Sequence, residues 1–152
     1  MMSISEFIRA AIGSFLGTLA FAGLLHVPKK AALPAAVVGM LAYLVYMISM
    51  AFGMSEPAAT FVGALFGSLL GQYLARRMQV IATIFVLLSI VSAVPGLGLY
   101  RFMELLGSNQ AALGAQTGIN AMMSIAMIAL GIGVGTFTYR LIFRSRRVKS
   151  GA

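Results

Sequence analysis

The sequence predicts an all-α integral membrane protein with about five transmembrane helices, the fourth of them broken. The first observation is composition: 61% of the 152 residues are hydrophobic, 9% are charged, and the mean hydropathy is +0.99. Soluble domains carry about 25% charged residues. The second observation is that lysine and arginine gather at the ends of long apolar segments, as topology signals do. The third is a Pro-Gly pair that interrupts one of these segments.

Five apolar segments, separated by turn and charged residues, define the predicted spans. They form a single transmembrane domain and run over about 7–27, 33–53, 57–75, 79–106 and 117–143, with a basic cytoplasmic tail at 144–152. Crossing the hydrocarbon core takes about 20 helical residues, so four segments are long enough to span without interruption. Pro57 suits the first turn of the third helix, because its missing N–H would be unpaired there anyway.

The fourth segment is broken at Pro95 and Gly96. Proline removes a backbone donor and glycine leaves helical geometry cheaply. The 16 residues from Gln79 to Val94 rise only about 24 Å, so the break is expected inside the bilayer. Irregular backbone at that depth lines a cavity or is buried in protein, and many transporters bind substrate there. The alternatives are a simple kink, or a helix end followed by an interfacial helix.

Small residues at four-residue spacing predict close helix packing. The clearest example runs through the third segment, and a second lies near the end of the fifth. Such stripes allow two membrane helices to approach closely. The predicted helix-packing residues are Gly63, Gly67, Gly71, Gly131 and Gly135.

The charge distribution predicts the orientation. With five spans, one side collects nine basic residues and the other collects only Arg9 and Arg101. The nine are Lys29, Lys30, Arg76, Arg77, Arg140, Arg144, Arg146, Arg147 and Lys149. The positive-inside rule then puts the N-terminus outside and the C-terminus in the cytoplasm. Topology also accounts for the net charge of +8, and we expect no nucleic-acid partner.

The residues that most enzymes and metal sites need are missing or scattered. There is no cysteine, His26 is the only histidine, and the three carboxylates, Glu6, Glu56 and Glu104, fall at segment ends. A metal site needs several such ligands, and a catalytic site needs a nucleophile beside a base. We therefore expect no enzyme activity, no metal and no cofactor. A mid-membrane carboxylate for proton coupling is also absent from the predicted spans.

Four short motifs, in this order, resemble one transporter family. They are 21–28 with its Val-Pro turn, Ala59-Thr60-Phe61, Val94-Pro95-Gly96 with Tyr100, and 117–121 opening the fifth span. Together they cover roughly residues 7 to 143. In these features the chain resembles the second, membrane-only half of the threonine/serine exporter family, in the form encoded as a small separate subunit.

The resemblance implies an exporter of small carboxylate metabolites in the bacterial inner membrane. The family exports threonine and serine in its fused form, and dicarboxylates such as succinate in a split form. The split form implies a larger five-span partner subunit with a cytoplasmic domain, related to this half as an inverted repeat. The rival interpretations are a homo-oligomeric membrane channel and a non-transporting scaffold subunit. Membrane lipid surrounds the chain in each case.

The resemblance and the break together suggest a substrate site. A helix that begins at Gly96 offers unpaired N–H groups and the positive end of its dipole to a carboxylate. Asn120 can serve either as a substrate contact or as a hydrogen bond between helices, and Tyr100 either caps a cavity or joins an aromatic belt. The predicted substrate-binding residues are Pro95, Gly96, Asn120, Thr117, Thr60 and Tyr100.

Overall fold

The computed structural model describes residues 4–91, 96–108 and 110–148, and these residues form six α-helices. The all-α prediction is confirmed. In chain order the helices are α1 (Ile4–Leu24), α2 (Lys29–Ala51), α3 (Glu56–Met78), α4 (Ala82–Val91), α5 (Gly96–Gly107) and α6 (Ala111–Val148).

Four of these helices have the length and apolarity of a membrane span, namely α1, α2, α3 and α6. The predicted fourth segment is represented by two shorter helices. α4 has 10 residues and α5 has 12, which correspond to about 15 Å and about 18 Å. Neither crosses the bilayer core by itself. Residues 92–95, which include Pro95, lie outside the described residues.

Two helices, α2 and α6, begin four or more residues before the predicted spans. α2 begins at Lys29, directly after Pro28, and the N–H of Ala31 donates to the Pro28 carbonyl. α6 begins at Ala111, six residues before the predicted start, so most of the interval between the predicted fourth and fifth spans is helical. Its first turns contain three alanines, which favour helix strongly. Packing also stabilises them, because Gly114 lies against α5.

α3 is the central helix, and one of its faces packs on α2 and α4. The stripe Ala59, Gly63, Gly67, Gly71 and Ala75 is buried throughout. A Cβ added to Gly63 would lie 3.1 Å from the carbonyl oxygen of Ala42 in α2. A Cβ added to Gly67 would lie 2.9 Å from Ser89 Oγ in α4, and one on Gly71 would lie 3.3 Å from the Phe85 backbone. The glycines therefore set the distance between these helices.

A second stripe on α3, shifted by one residue, packs on α6. Its members are Thr60, Ala64, Ser68 and Gln72, all of them buried. Added Cβ atoms on Gly131 and Gly135 of α6 would lie 2.9 Å from the Cβ atoms of Ala64 and Ser68, respectively. Because residue numbers rise together along both helices, α3 and α6 run parallel. α3 thus holds the bundle together through two adjacent faces of small residues.

Candidate functional site

The predicted break falls between α4 and α5, and α4 leads toward it from inside the bundle. α4 runs antiparallel to α3, since Phe85 lies against Gly71 and Ser89 against Gly67. Near its end, Ile90 is buried in a cluster with Ala64 of α3 and Ile128 of α6. Ala64 is eight residues from the start of α3 at Glu56, a distance of about 12 Å along the helix axis. α4 therefore ends well within the depth that α3 spans.

The first turn of α5 lies level with Ser124 of α6. The two helices are antiparallel, because Leu105 contacts Gly114, Phe102 contacts Gly118, and Leu99 lines a groove with Met122. Each step of about one turn on α5 matches one turn on α6. One more step of the same size brings Gly96 to the level of Ala126. Ser124 therefore lies at the depth of the first turn of α5, between the levels of Leu99 and Gly96.

Ser124 is a fully buried polar residue, and its Oγ has no hydrogen-bond partner among the residues that the structure describes. Serine and threonine in helices usually donate to the carbonyl three or four residues earlier. Thr117 does so to Leu113, at 2.9 Å. A buried hydroxyl without a partner costs about 1–3 kcal/mol. Ser124 therefore has a donor and an acceptor to offer to a bound molecule.

Thr60 lies within about one helical turn of that depth on α3. It is 2% exposed, and its Oγ1 donates to the Glu56 carbonyl at 2.7 Å. Thr60 stands one turn beyond Ala64, and Ser124 stands one turn beyond Ile128. Because Ala64, Ile128 and Ile90 are in one cluster, both hydroxyl-bearing residues lie just past it, where α4 ends.

An open groove reaches the same break from the side of α1. It has a volume of about 360 Å³ and is lined by residues of α1 with Tyr43 and Val91, the last residue of α4. Gly13 and Gly17 form part of its wall, and a Cβ on either would meet no atom within 4 Å. Pockets for small ligands start at about 300 Å³. The groove is thus large enough for a small metabolite beside the break.

The other predicted substrate-binding residues lie away from this place. Thr117 is half-buried and two turns from Ser124, and the side chain of Asn120 is exposed. Tyr100 is 66% exposed. Pro95 lies outside the described residues, and Gly96 is the first residue of α5. Of the predicted set, Thr60 and Gly96 lie at a similar depth on α3 and α5; a substrate role for any of the six stays a prediction.

Sequence reasoning missed Ser124 and the groove as parts of a site. The sequence puts Ser124 on one helical face with Thr117 and Asn120, but does not tell which of the three is buried. Gly13 and Gly17 gave a weak signal, because they are four residues apart. Such spacing normally indicates packing between helices, yet here these glycines border open space.

Polar side chains also connect the second half of α3 to α6. Gln72 Nε2 donates to Thr136 Oγ1 at 3.0 Å and to Ser68 Oγ at 3.3 Å. Ser68 Oγ in turn donates to the Ile132 carbonyl at 3.4 Å. Gln72 and Ser68 are both buried. The Gln72–Thr136 and Ser68–Ile132 bonds join the two parallel helices, and the Gln72–Ser68 bond lies within α3.

We expect Gln72→Leu to lower the free energy of unfolding by about 1 kcal/mol, because interhelical hydrogen bonds in membrane proteins contribute about 0.6–1.7 kcal/mol. Reversible unfolding in a denaturing detergent measures this change. Gln116→Leu is the matched control, since Gln116 is exposed on α6, and its effect should stay within about 0.5 kcal/mol. Equal effects of the two substitutions would contradict a stabilising role for the Gln72 bonds.

Comparison with known proteins identifies the family. The family model described as "Threonine/Serine exporter, ThrE" matches residues 10–138, which is most of the chain. No curated protein and no solved structure matches significantly. The matched region contains most of α1, all of α2 to α5 and most of α6, with both hydroxyl-bearing residues. The resemblance found in the sequence motifs is therefore confirmed, and the chain is a multi-pass membrane protein that belongs to the threonine/serine exporter family.

Proposed function

We propose that this chain is the membrane subunit of a secondary transporter that exports small carboxylate metabolites, which bind at the break between α4 and α5. Membership of an exporter family indicates a transporter rather than an enzyme. The observation that supports the site most directly is the buried hydroxyl of Ser124, which lacks a partner at the level where α5 begins.

The chemistry of this place suits a carboxylate. The first four N–H groups of a helix have no intrahelical partner, and the helix dipole adds positive charge at the same end. In our proposal the first turn of α5 binds the carboxylate oxygens. Ser124 donates a further hydrogen bond, and Thr60 accepts one from the ammonium or hydroxyl group of the substrate. Threonine and serine carry all three groups, whereas succinate would use two carboxylates.

A larger homologous partner subunit is part of the same proposal. The apolar part of α6, Ala111–Ile142, has 32 residues and is about 48 Å long. Fitting it within a 30 Å core would need a tilt of about 50°, beyond the usual 0–40°. Its first half nevertheless exposes Leu113, Ile119 and Met122. A second subunit that packs on this half would cover those side chains.

The orientation also remains a proposal: N-terminus outside and C-terminus in the cytoplasm of a bacterium. It rests on the distribution of basic residues. Lys29, Lys30, Arg76 and Arg77 lie at one end of the bundle, because Ala31 and Ala35 at the start of α2 pack with Ala75 near the end of α3. Alternating access would rock this chain against its partner around the break.

The decisive experiment measures efflux of labelled threonine, serine and succinate from cells that express this chain with and without the larger family subunit. We expect efflux only when both are present. Efflux with this chain alone would instead support a homo-oligomeric transporter or channel. With both subunits present in the membrane, no efflux of any of the three would contradict the proposal and favour a scaffold.

A variant of Ser124 tests the site itself. Ser124→Ala should lower efflux at least about 10-fold, the loss expected when about 1.4 kcal/mol of binding is removed. The same variant should unfold at higher denaturant, because an unpaired buried hydroxyl is gone. Ser108→Ala, on an exposed serine, is the control and should change neither quantity. Normal efflux by Ser124→Ala would contradict a substrate contact at Ser124.

A further inference from the structure

The end of α3 carries a basic, tyrosine-lined groove that the proposed transport site does not use. Its lining residues are Tyr73, Arg76 and Arg77 of α3 and Tyr139 of α6, and its volume is about 240 Å³. Both arginines are exposed, and Tyr73 is 44% exposed. Arg140, exposed on α6, adds a third positive charge next to Tyr139 in the chain. The groove therefore combines guanidinium groups with aromatic rings.

The glutamates of the chain lie far from this groove. Glu56 is in the first turn of α3, 20 residues before Arg76, which places it about 30 Å away along the helix. Glu6 is in the first turn of α1, at the same end of the bundle as Glu56, because α1, α2 and α3 alternate in direction. Glu104 is on α5, which packs on the first part of α6. The ligand that matches the groove is therefore an anion.

The groove also lies at the depth of lipid headgroups. α3 has 23 residues, or about 34 Å, close to the thickness of the hydrocarbon core. Its last turn, with Arg76 and Arg77, thus reaches the bilayer surface. Phe66, Leu70, Tyr73 and Arg77 follow one another at three- or four-residue spacing and share one face of α3. Phe66 is 37% exposed and Leu70 is half-buried, so an apolar strip leads from the groove into the membrane.

We propose that Tyr73, Arg76, Arg77 and Tyr139 bind the phosphate oxyanion of an anionic phospholipid, with an acyl chain lying along Phe66 and Leu70. Arginine binds phosphate oxygens through two parallel N–H bonds, and tyrosine suits a place that is apolar on one side and wet on the other. Basic pockets between membrane helices at this level bind anionic headgroups. A free phosphate or carboxylate shares the oxyanion chemistry, but it would not use the apolar strip.

Native mass spectrometry of the full-length chain in neutral detergent tests the proposal, with phosphatidylglycerol, phosphatidylcholine and inorganic phosphate as probes. We expect selective binding of phosphatidylglycerol, weakened about 30-fold in the double variant Arg76→Gln/Arg77→Gln, since each basic residue near the surface contributes about fivefold. The matched control is Lys29→Gln/Lys30→Gln, which removes two charges at the same end of the bundle. Because neither lysine lines the groove, this control should weaken binding of the lipid by less than about threefold.

Three results would overturn the proposal. Equal losses in the two double variants would indicate diffuse attraction to positive charge. Competition by inorganic phosphate at concentrations matched to the lipid would indicate a site for free oxyanions. Equal binding of phosphatidylcholine would remove the selectivity for anionic lipid. Phe66→Ser adds an independent arm, because it should weaken binding of the lipid while both arginines stay in place; unchanged binding would contradict the role of the apolar strip.

Discussion

Gly131→Leu is expected to prevent formation of the folded bundle. A Cβ at this position would lie 2.8 Å from the Phe61 carbonyl oxygen and 2.9 Å from the Cβ of Ala64. Backbone atoms of α3 provide part of this contact, so no side-chain rotation relieves it. Overpacking typically costs about 1–3 kcal/mol, and a leucine adds three more carbons beyond the clash. The yield of monodisperse protein in size-exclusion chromatography should fall to near zero.

Gly133 offers a control only two residues away on the same helix. It is exposed, and a Cβ there would meet no atom within 4 Å. Gly133→Leu should therefore leave the yield and the unfolding transition close to those of the unmodified chain. Normal yields from both leucine variants would mean that α3 and α6 do not pack through Gly131. If neither variant folded, the loss would reflect a general need for glycine in α6, and not the contact at Gly131.

The double substitution Pro95→Ala and Gly96→Ala is expected to abolish export while the protein still inserts and assembles. Both residues are replaced by the strongest helix former, so the fourth segment can run on as one helix. The N–H groups of the first turn of α5 then gain partners inside the helix, and the proposed carboxylate site loses its donors. Efflux of the transported substrate should drop by at least about 100-fold, the loss expected from two charge-assisted hydrogen bonds.

This test requires proof that the variant is present in the membrane. Membrane fractionation with an epitope tag measures its amount, and co-purification with the partner subunit measures assembly. The single substitution Gly107→Ala is a useful control, because Gly107 is the last residue of α5 and a Cβ there would meet no atom within 4 Å. Export at the normal rate by the double variant would show that the break is only a kink.

Much of the fold could be predicted from the sequence because membrane helices have few ways to be stable. The stripe of Gly63, Gly67 and Gly71 follows from local chemistry, whereas the predicted break at Pro95-Gly96 falls partly outside the described residues. The second stripe of α3 was missed, although Ser68 and Gln72 keep the same spacing. Its meaning depends on α6 lying parallel to α3, and that is a long-range fact which local patterns do not contain.

For the candidate site, the sequence names residues but does not place them relative to one another, for a related reason. Substrate roles for Thr60 and for the start of α5 stay predictions. Ser124, Asn120 and Thr117 share one helical face within about 60°, so periodicity alone ranks them equally. Burial separates them, and it depends on how far α6 rotates as it passes α5 and α3. Of the three, Ser124 is the fully buried one.

The length of α6 has a mechanical consequence. The helix has 38 residues. It contacts α3 at Gly131 and Gly135, and its N-terminal part packs on α5. Gly131 is 20 residues from Ala111, or about 30 Å. A rotation of about 10° at the glycine contact would swing the far end through about 5 Å, the rise of one helical turn. The first part of α6 would therefore move as a rigid body about its glycine contact with α3, and α5 would move with it.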